Sequence, residues 1–181
     1  MAPFWLERYF TEEDAARIKA ELVAPADRGD VSEEEMFAML GERTGVPADQ
    51  ALEDWLALAV RNPAFPALLE RLRQHATVAL LSNAPGAFLH RLLDRENLYP
   101  CFDRIMISSE ERLVKPDPAI YSRLVEQLGI DPARCVMIDD NPANLRGAEQ
   151  AGIPGILFRD AESLEEALAL WESALQDADM A

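Results

Sequence analysis

The first 75 residues carry apolar side chains at the spacing that is typical of amphipathic helices. Ser32 and Glu35 have the spacing of a capping box, which predicts a helix start at that point. Proline and glycine cluster at 25–30, 45–47 and 61–63, and these clusters predict breaks between helices. The pattern therefore predicts helices at 15–23, 33–41, 48–60 and 66–75.

From Thr77 onward, short apolar runs alternate with helical patterns. The runs that have the length and composition of buried strands are 78–81, 104–107, 135–138 and 155–158. The helices predicted after them are 87–96, 118–128, 142–151 and 163–175. Strands and helices that alternate at this spacing indicate βαβ units and a parallel sheet. The sequence therefore predicts an α/β protein, preceded by an all-helical region.

Composition narrows the class of protein further. The chain has 181 residues, 49% of them hydrophobic, which is enough for a substantial core. No apolar run approaches the ~20 residues that cross a bilayer, and no signal peptide is visible. Cys101 and Cys135 are the two cysteines, so we expect no disulfide framework and a cytoplasmic location. The net charge of −16 argues against nucleic acid and anionic membrane as partners.

Two adjacent carboxylates, Asp139 and Asp140, follow the predicted strand 135–138. The carboxyl ends of parallel strands are where open α/β sheets bind ligands. Neighbouring carboxylates repel each other and need a counter-charge, for which Mg²⁺ is a common solution. The alternative is that one of the two aspartates caps the helix that follows.

Polar residues also follow other predicted strands. Ser82 and Asn83 come directly after 78–81, where a hydroxyl, an amide and helix N–H groups suit an anionic oxygen. The alternative for Ser82 is a helix N-cap. Lys115 precedes a proline in the loop before 118–128, and its alternative is a solvated surface lysine. If the strand ends meet, these residues and the paired aspartates would surround a phosphate and its Mg²⁺.

In this order, the motifs resemble those of the haloacid dehalogenase-like (HAD) superfamily of phosphohydrolases. Leu80–Asn83 is similar to the second motif of that superfamily, Lys115–Tyr121 to the third and Met137–Asn144 to the fourth. The resemblance covers residues 77–160, and the two aspartates of the fourth motif point to its sugar-phosphate phosphatase group. It implies a three-layer parallel sheet of HAD type, whose central first strand is missing from this chain, with an inserted all-helical cap.

The resemblance also implies domains, namely a helical cap at 1–75 and a HAD-like α/β core at 76–181. Ser82 would bind the phosphoryl group with help from Asn83. Lys115 would act as the catalytic residue that neutralises charge on the phosphate. The implied substrate is a small phosphorylated molecule, and neither the substrate nor the oligomeric state can be read from the chain.

For the metal, the resemblance implies Mg²⁺ bound by Asp140 with Asp139 beside it, and Asn144 supporting these ligands. The implied reaction transfers a phosphoryl group to an aspartate and then hydrolyses the product with water. That aspartate belongs to a first motif, an apolar strand that ends in Asp-x-Asp ahead of the cap. Here the residues ahead of the cap are MAPFWLERYF, which contain no aspartate.

The missing motif leaves two interpretations open. The full protein could be a phosphatase of which this chain lacks the beginning, or the chain could be a degenerate member that binds a ligand or partner without turnover. In both cases we expect the 181 residues to be inactive. A receiver domain of a two-component system is excluded, because receivers place the paired acids first and the lysine last.

Overall fold

The computed structural model describes residues 5–59 and 65–179. Its contacts divide the chain into two compact units, with the division between Val114 and Lys115. The cap and core boundary expected at 75/76 stays a prediction. None of the described helices is both long and apolar enough to cross a membrane.

The first unit begins with helices. In chain order these are α1 (Glu12–Ile18), α2 (Ala24–Asp27), α3 (Glu33–Thr44), α4 (Ala48–Leu58) and α5 (Phe65–Arg73), with a π-helical turn, Lys19–Val23, between α1 and α2. The predicted helices are confirmed in position, although α3 runs to Thr44, three residues further than predicted. The predicted end of the third helix, Val60, and the break at 61–63 lie outside the described residues.

The break predicted at 25–30 is wrong in its first part, because the chain stays helical as far as Asp27. Pro25 lacks an N–H, but it occupies the first turn of α2, where that donor is not needed. The π-helical turn before it lets the Ala24 N–H donate to the carbonyl of Lys19. The helix ends at Asp27, and Gly29, two residues further on, has a φ of 76°.

The capping box at the start of α3 is confirmed. The Ser32 hydroxyl accepts from the Glu35 N–H at 3.2 Å, and the Glu35 carboxylate accepts from the Ser32 N–H at 3.0 Å. We expect Ser32→Ala to lower the free energy of unfolding by about 1 kcal/mol, since it leaves an N-terminal N–H without its acceptor. Urea titration followed by circular dichroism measures this loss. Ser32→Asp, which keeps a side-chain acceptor, should retain most of the stability.

The aromatic core of the first unit joins the helices to the strand region that follows. Trp55 of α4 packs edge-on against Phe37 of α3, with ring centroids 5.1 Å apart. It also packs edge-on against Phe88, with centroids 6.1 Å apart. Phe88 belongs to α6 (Gly86–Arg95), so the helices of 1–75 and α6 share one buried cluster.

Two parallel strands complete the first unit. Strand β1 (Ala79–Ser82) pairs with β2 (Arg104–Ile107), with Ser82 opposite Ile107. A short helix, α7 (Ser108–Glu111), follows β2. The helix ends at Arg112, which adopts a left-handed conformation with a φ of 55° and donates its N–H to the Ser108 carbonyl.

The second unit holds the other pair of strands. Strand β3 (Met137–Asp139) pairs in parallel with β4 (Gly155–Leu157). The helices are α8 (Pro118–Leu128), α9 (Pro142–Gln150) and α10 (Ala161–Asp179). Strand β3 starts two residues later than predicted, because a 3₁₀ turn occupies Pro132–Arg134 just before it. The predicted α/β class, with parallel strands and an all-helical region, is confirmed.

Candidate active site

Asp139 is the centre of the polar cluster in the second unit. It is the last residue of β3 and is only 9% exposed. Its Oδ2 accepts from the Lys115 Nζ at 2.7 Å, and its Oδ1 accepts from the Asn141 N–H at 2.8 Å and from the Asn144 Nδ2 at 2.9 Å. Burial by itself would raise the pKa of this carboxyl. The hydrogen bonds, with that from Lys115 the strongest, outweigh burial and hold the pKa below its ordinary value.

Lys115 is a buried partner in an ion pair and not a solvated surface lysine. Its side chain is 11% exposed and that of Asp139 is 6% exposed. The Lys115–Pro116 peptide bond is cis. The solvated-lysine interpretation is therefore wrong for this residue.

Asp140 lies in the bend after β3, and its side chain is exposed. Neither aspartate is the N-cap of α9, because Asn141 takes that position and its side chain accepts from the Ala143 N–H at 2.9 Å. The capping interpretation is therefore wrong. With both Asp139 oxygens engaged by the protein, Asp140 is the carboxylate of the pair that faces solvent.

The exposed carboxylate suits a hard cation. Mg²⁺ keeps several waters and takes only one or two carboxylates from a protein, so Asp140 at a strand end fits its chemistry. Over 5–59 and 65–179, no group of three or more His, Cys, Asp or Glu side chains is placed to hold a metal. The Asp140 carboxylate is therefore a chemically suitable single ligand for Mg²⁺.

Helix α9 is held against α8 and against the loop that carries Lys115 by two residues to which the sequence analysis gave no role. The buried Tyr121 hydroxyl donates to the Asn144 carbonyl at 2.7 Å. A Cβ at Gly147 would lie 2.1 Å from the Pro116 carbonyl oxygen, so only glycine allows this approach. An isolated glycine inside a predicted helix is the signal that could have identified Gly147.

Burial and the neighbouring charge of Asp139 raise the pKa of Tyr121 to about 12. The phenol therefore stays protonated at neutral pH and remains a donor to Asn144. The hydrogen bond to the Asn144 main-chain carbonyl is therefore kept at neutral pH.

Ser82 and Asn83 belong to the first unit. Ser82 ends β1 and is half-buried, and Asn83 follows it in the loop that leads to α6. The N-cap of α6 is Pro85, so the capping interpretation of Ser82 is wrong. The structure brings Lys115, Asp139 and Asn144 into contact within the second unit. It places Ser82 and Asn83 at the carboxyl end of β1.

The sequence matches a family model described as a haloacid dehalogenase-like hydrolase over residues 8–152. It is similar to the sesquiterpene phosphatase astK of Aspergillus oryzae, with 25% identity over 148 residues that cover 80% of this chain and 76% of the relative. It is also similar to the phosphorylated carbohydrates phosphatase of Thermotoga maritima, with 29% identity over 117 residues, 64% of this chain and 54% of the relative. The chain therefore spans only about half the length of that second relative.

A solved structure of a HAD family enzyme from Bacteroides thetaiotaomicron has a similar fold, with a TM-score of 0.73 at 24% identity over 84% of this chain and 79% of that chain. The same enzyme has been solved in complex with magnesium and inorganic phosphate. That structure matches with a TM-score of 0.65 and 27% identity, over 75% of this chain and 73% of the other.

Proposed function

Because this chain belongs to the haloacid dehalogenase-like hydrolase family, we propose that its polar cluster serves Mg²⁺-dependent hydrolysis of a small phosphorylated molecule. The observation that carries the proposal is the buried ion pair of Lys115 and Asp139 at the end of β3, with the exposed Asp140 beside it. A phosphohydrolase needs positive charge and a divalent ion where the phosphoryl oxygens develop negative charge.

Each of the residues predicted from the sequence has a role in the proposal. Ser82 and Asn83, at the end of β1, bind the phosphoryl oxygens through a hydroxyl and an amide. Lys115 neutralises charge on the phosphate. Asp140 holds Mg²⁺, which when bound supplies charge stabilisation at the phosphoryl oxygens.

Asp139 and Asn144 orient the other groups of the cluster. Asp139 fixes the ammonium group of Lys115 with a 2.7 Å hydrogen bond, and Asn144 fixes Asp139 from the other side. Replacing Asp139 would remove this hydrogen bond from the ammonium group of Lys115. The predicted cytoplasmic location stays a prediction.

Relatives support the phosphate and the metal in this proposal. The Bacteroides enzyme crystallised with magnesium and inorganic phosphate, and so did a variant of it in which one aspartate is alanine. The Thermotoga relative is described as acting on phosphorylated carbohydrates. We propose the same broad class of substrate, a small phosphorylated molecule, for this chain.

The 181 residues carry no Asp-x-Asp ahead of β1, and the sequence Asp177–Asp179 lies in helix α10. This favours a second candidate function, which is binding of a phosphorylated ligand without turnover. We therefore expect the 181-residue chain to bind inorganic phosphate with Mg²⁺ but not to hydrolyse p-nitrophenyl phosphate. Hydrolysis that depends on Mg²⁺ and is lost in Asp140→Asn would contradict the expected inactivity and support the enzyme.

Asp140→Asn is expected to weaken Mg²⁺ binding at least about tenfold, because it removes the charged oxygen ligand. Isothermal titration calorimetry with MgCl₂ measures the change. Glu149→Gln is the matched control, since it removes one exposed carboxylate of the same helix region. Equal Mg²⁺ affinity of the Asp140 variant and the wild type would remove the metal site from the proposal.

A further inference from the structure

Ser108 is a buried polar residue for which the proposed function has no role. Of the residues that the structure describes, Ser108 and Asp139 are the buried polar or charged ones. Ser108 is 0% exposed and stands directly after β2, one residue beyond Ile107, which pairs with Ser82. A buried hydroxyl destabilises a fold unless its hydrogen bonds are satisfied.

Both hydrogen-bonding functions of this hydroxyl are used. The Oγ accepts from the Ala84 N–H at 3.0 Å and donates to the Asp27 carbonyl oxygen at 2.5 Å. Ala84 lies 24 positions away in the chain and Asp27 lies 81 positions away. The hydroxyl therefore ties together the end of β2, the loop after β1 and the end of α2.

The first of these segments is the loop after β1. Ala84 directly follows Ser82 and Asn83, and it is itself buried. At the start of this loop, Ser82 is paired with Ile107 in the sheet. Two residues later, the hydrogen bond from the Ala84 N–H to Ser108 fixes the backbone again. The side chains of Ser82 and Asn83 thus project from a backbone that is held on both sides.

The second segment is the end of α2 in the helical region. Asp27 is its last residue, and Gly29 follows with a φ of 76°. A Cβ at Gly29 would lie 2.3 Å from the Ser109 carbonyl oxygen, so the turn after α2 packs directly on the backbone next to Ser108. The helical region meets the end of β2 at this point.

We infer that Ser108 is a positioning residue. It holds the Ser82–Asn83 loop in its phosphate-binding conformation and couples that loop to the turn after α2. The expected effect of Ser108 on phosphate affinity rests on the proposed function. Its structural part, the coupling of the loop to the turn, can be measured without phosphate.

The test compares Ser108→Ala with wild type and with Ser109→Ala, a neighbouring serine whose hydroxyl has no part in the inference. Calorimetric titration of the Mg²⁺-loaded chain with inorganic phosphate should show binding about tenfold weaker in Ser108→Ala, because the Ala84 N–H loses its partner. Affinity for Mg²⁺ alone should stay as in the wild type, since Asp140 is untouched. A variant that is merely less stable would show no such division between phosphate and metal affinity.

Hydrogen exchange provides the second readout. In Ser108→Ala the amide of Ala84 and the turn at 28–30 should both exchange faster, while amides of β3 and β4 keep their wild-type rates. Ser108→Cys keeps a weak donor on a somewhat larger side chain, so it should give intermediate affinity and exchange, and it replaces Ser108→Ala if that variant does not fold.

Unchanged phosphate affinity in a variant whose Ala84 amide exchanges faster would overturn the positioning role. Unchanged exchange at both Ala84 and 28–30 would overturn the coupling itself. Wild-type protein that binds no phosphate would instead refute the proposed function, and the exchange rates would still decide whether Ser108 joins the two segments.

Discussion

Replacing Lys115 by methionine is expected to lower the free energy of unfolding by about 3 to 5 kcal/mol. The side chains of Lys115 and Asp139 are 11% and 6% exposed, so their attraction is weakly screened by water. Methionine has a similar length but carries no charge, and it leaves the Asp139 carboxylate buried without a counter-charge. The hydrogen bonds from Asn141 and Asn144 remain, which places the loss toward the lower end of the range.

Urea titration measures this loss, and the double variant Lys115→Met/Asp139→Asn is its control. Removing both charges leaves no uncompensated ion in the interior, so the double variant should be more stable than Lys115→Met. A single variant that unfolds at the wild-type urea concentration would show that Asp139 does not depend on Lys115 for its charged state.

The pH dependence of this pair follows from the lowered pKa of Asp139. A carboxyl with a lower pKa in the folded state than in the unfolded state stabilises the fold at pH values above the unfolded pKa. This stabilisation is lost as the pH falls through the unfolded pKa and on to the folded one. In Lys115→Met the pKa of Asp139 should lie closer to its unfolded value. The stability of the variant should therefore differ from that of the wild type most at neutral pH and least in acid.

Local patterns in the sequence predicted those elements whose signals lie within the element. Strand β2 and helix α8 occur at the predicted residues, 104–107 and 118–128. An apolar run marks the strand, while Pro118 and Gly129 mark the two ends of the helix. Pro25 gave a wrong break because a π-helical turn, which has no sequence signal of this kind, lets the helix continue.

The candidate site was predictable as a set of residues but not as a set of contacts. Asp139 and Asp140 look equivalent in the sequence. Strand β3 ends on Asp139, which buries that carboxylate and leaves Asp140 exposed. Ser108 could not be recognised either, because its two partners lie in other segments and a serine after a strand is ordinary in a loop.

Asp27 is a half-buried carboxyl whose removal should stabilise the protein. Burial raises the pKa of Asp27 from 3.8 to about 6, against the smaller opposing effects of Lys19 and Arg28. A carboxyl with a higher pKa in the folded state makes the fold lose stability as the pH rises from the unfolded pKa to the folded one. At neutral pH the group is ionised in both states, and the fold carries the full penalty.

We therefore expect Asp27→Asn to raise the free energy of unfolding at pH 7 by about 2 kcal/mol. This is somewhat less than the free energy that is equivalent to the full shift in the pKa of Asp27. The amide keeps the shape of the side chain and leaves the backbone carbonyl that accepts from Ser108 unchanged. Near pH 4 the variant and the wild type should have similar stability, because folded Asp27 is then protonated. Urea titrations at the two pH values measure both effects.

Asp30→Asn is the matched control, since it makes the same substitution three residues away at an exposed carboxylate that pairs with Arg28. Exposed ion pairs contribute little, so its effect should stay below about 1 kcal/mol and vary little between the two pH values. Equal stability of Asp27→Asn and wild type at pH 7 would show that the carboxylate is well solvated in the fold. A gain at pH 7 that disappears near pH 4 would show that the fold carries the ionised Asp27 carboxylate at a cost in stability, because burial disfavours its charged form.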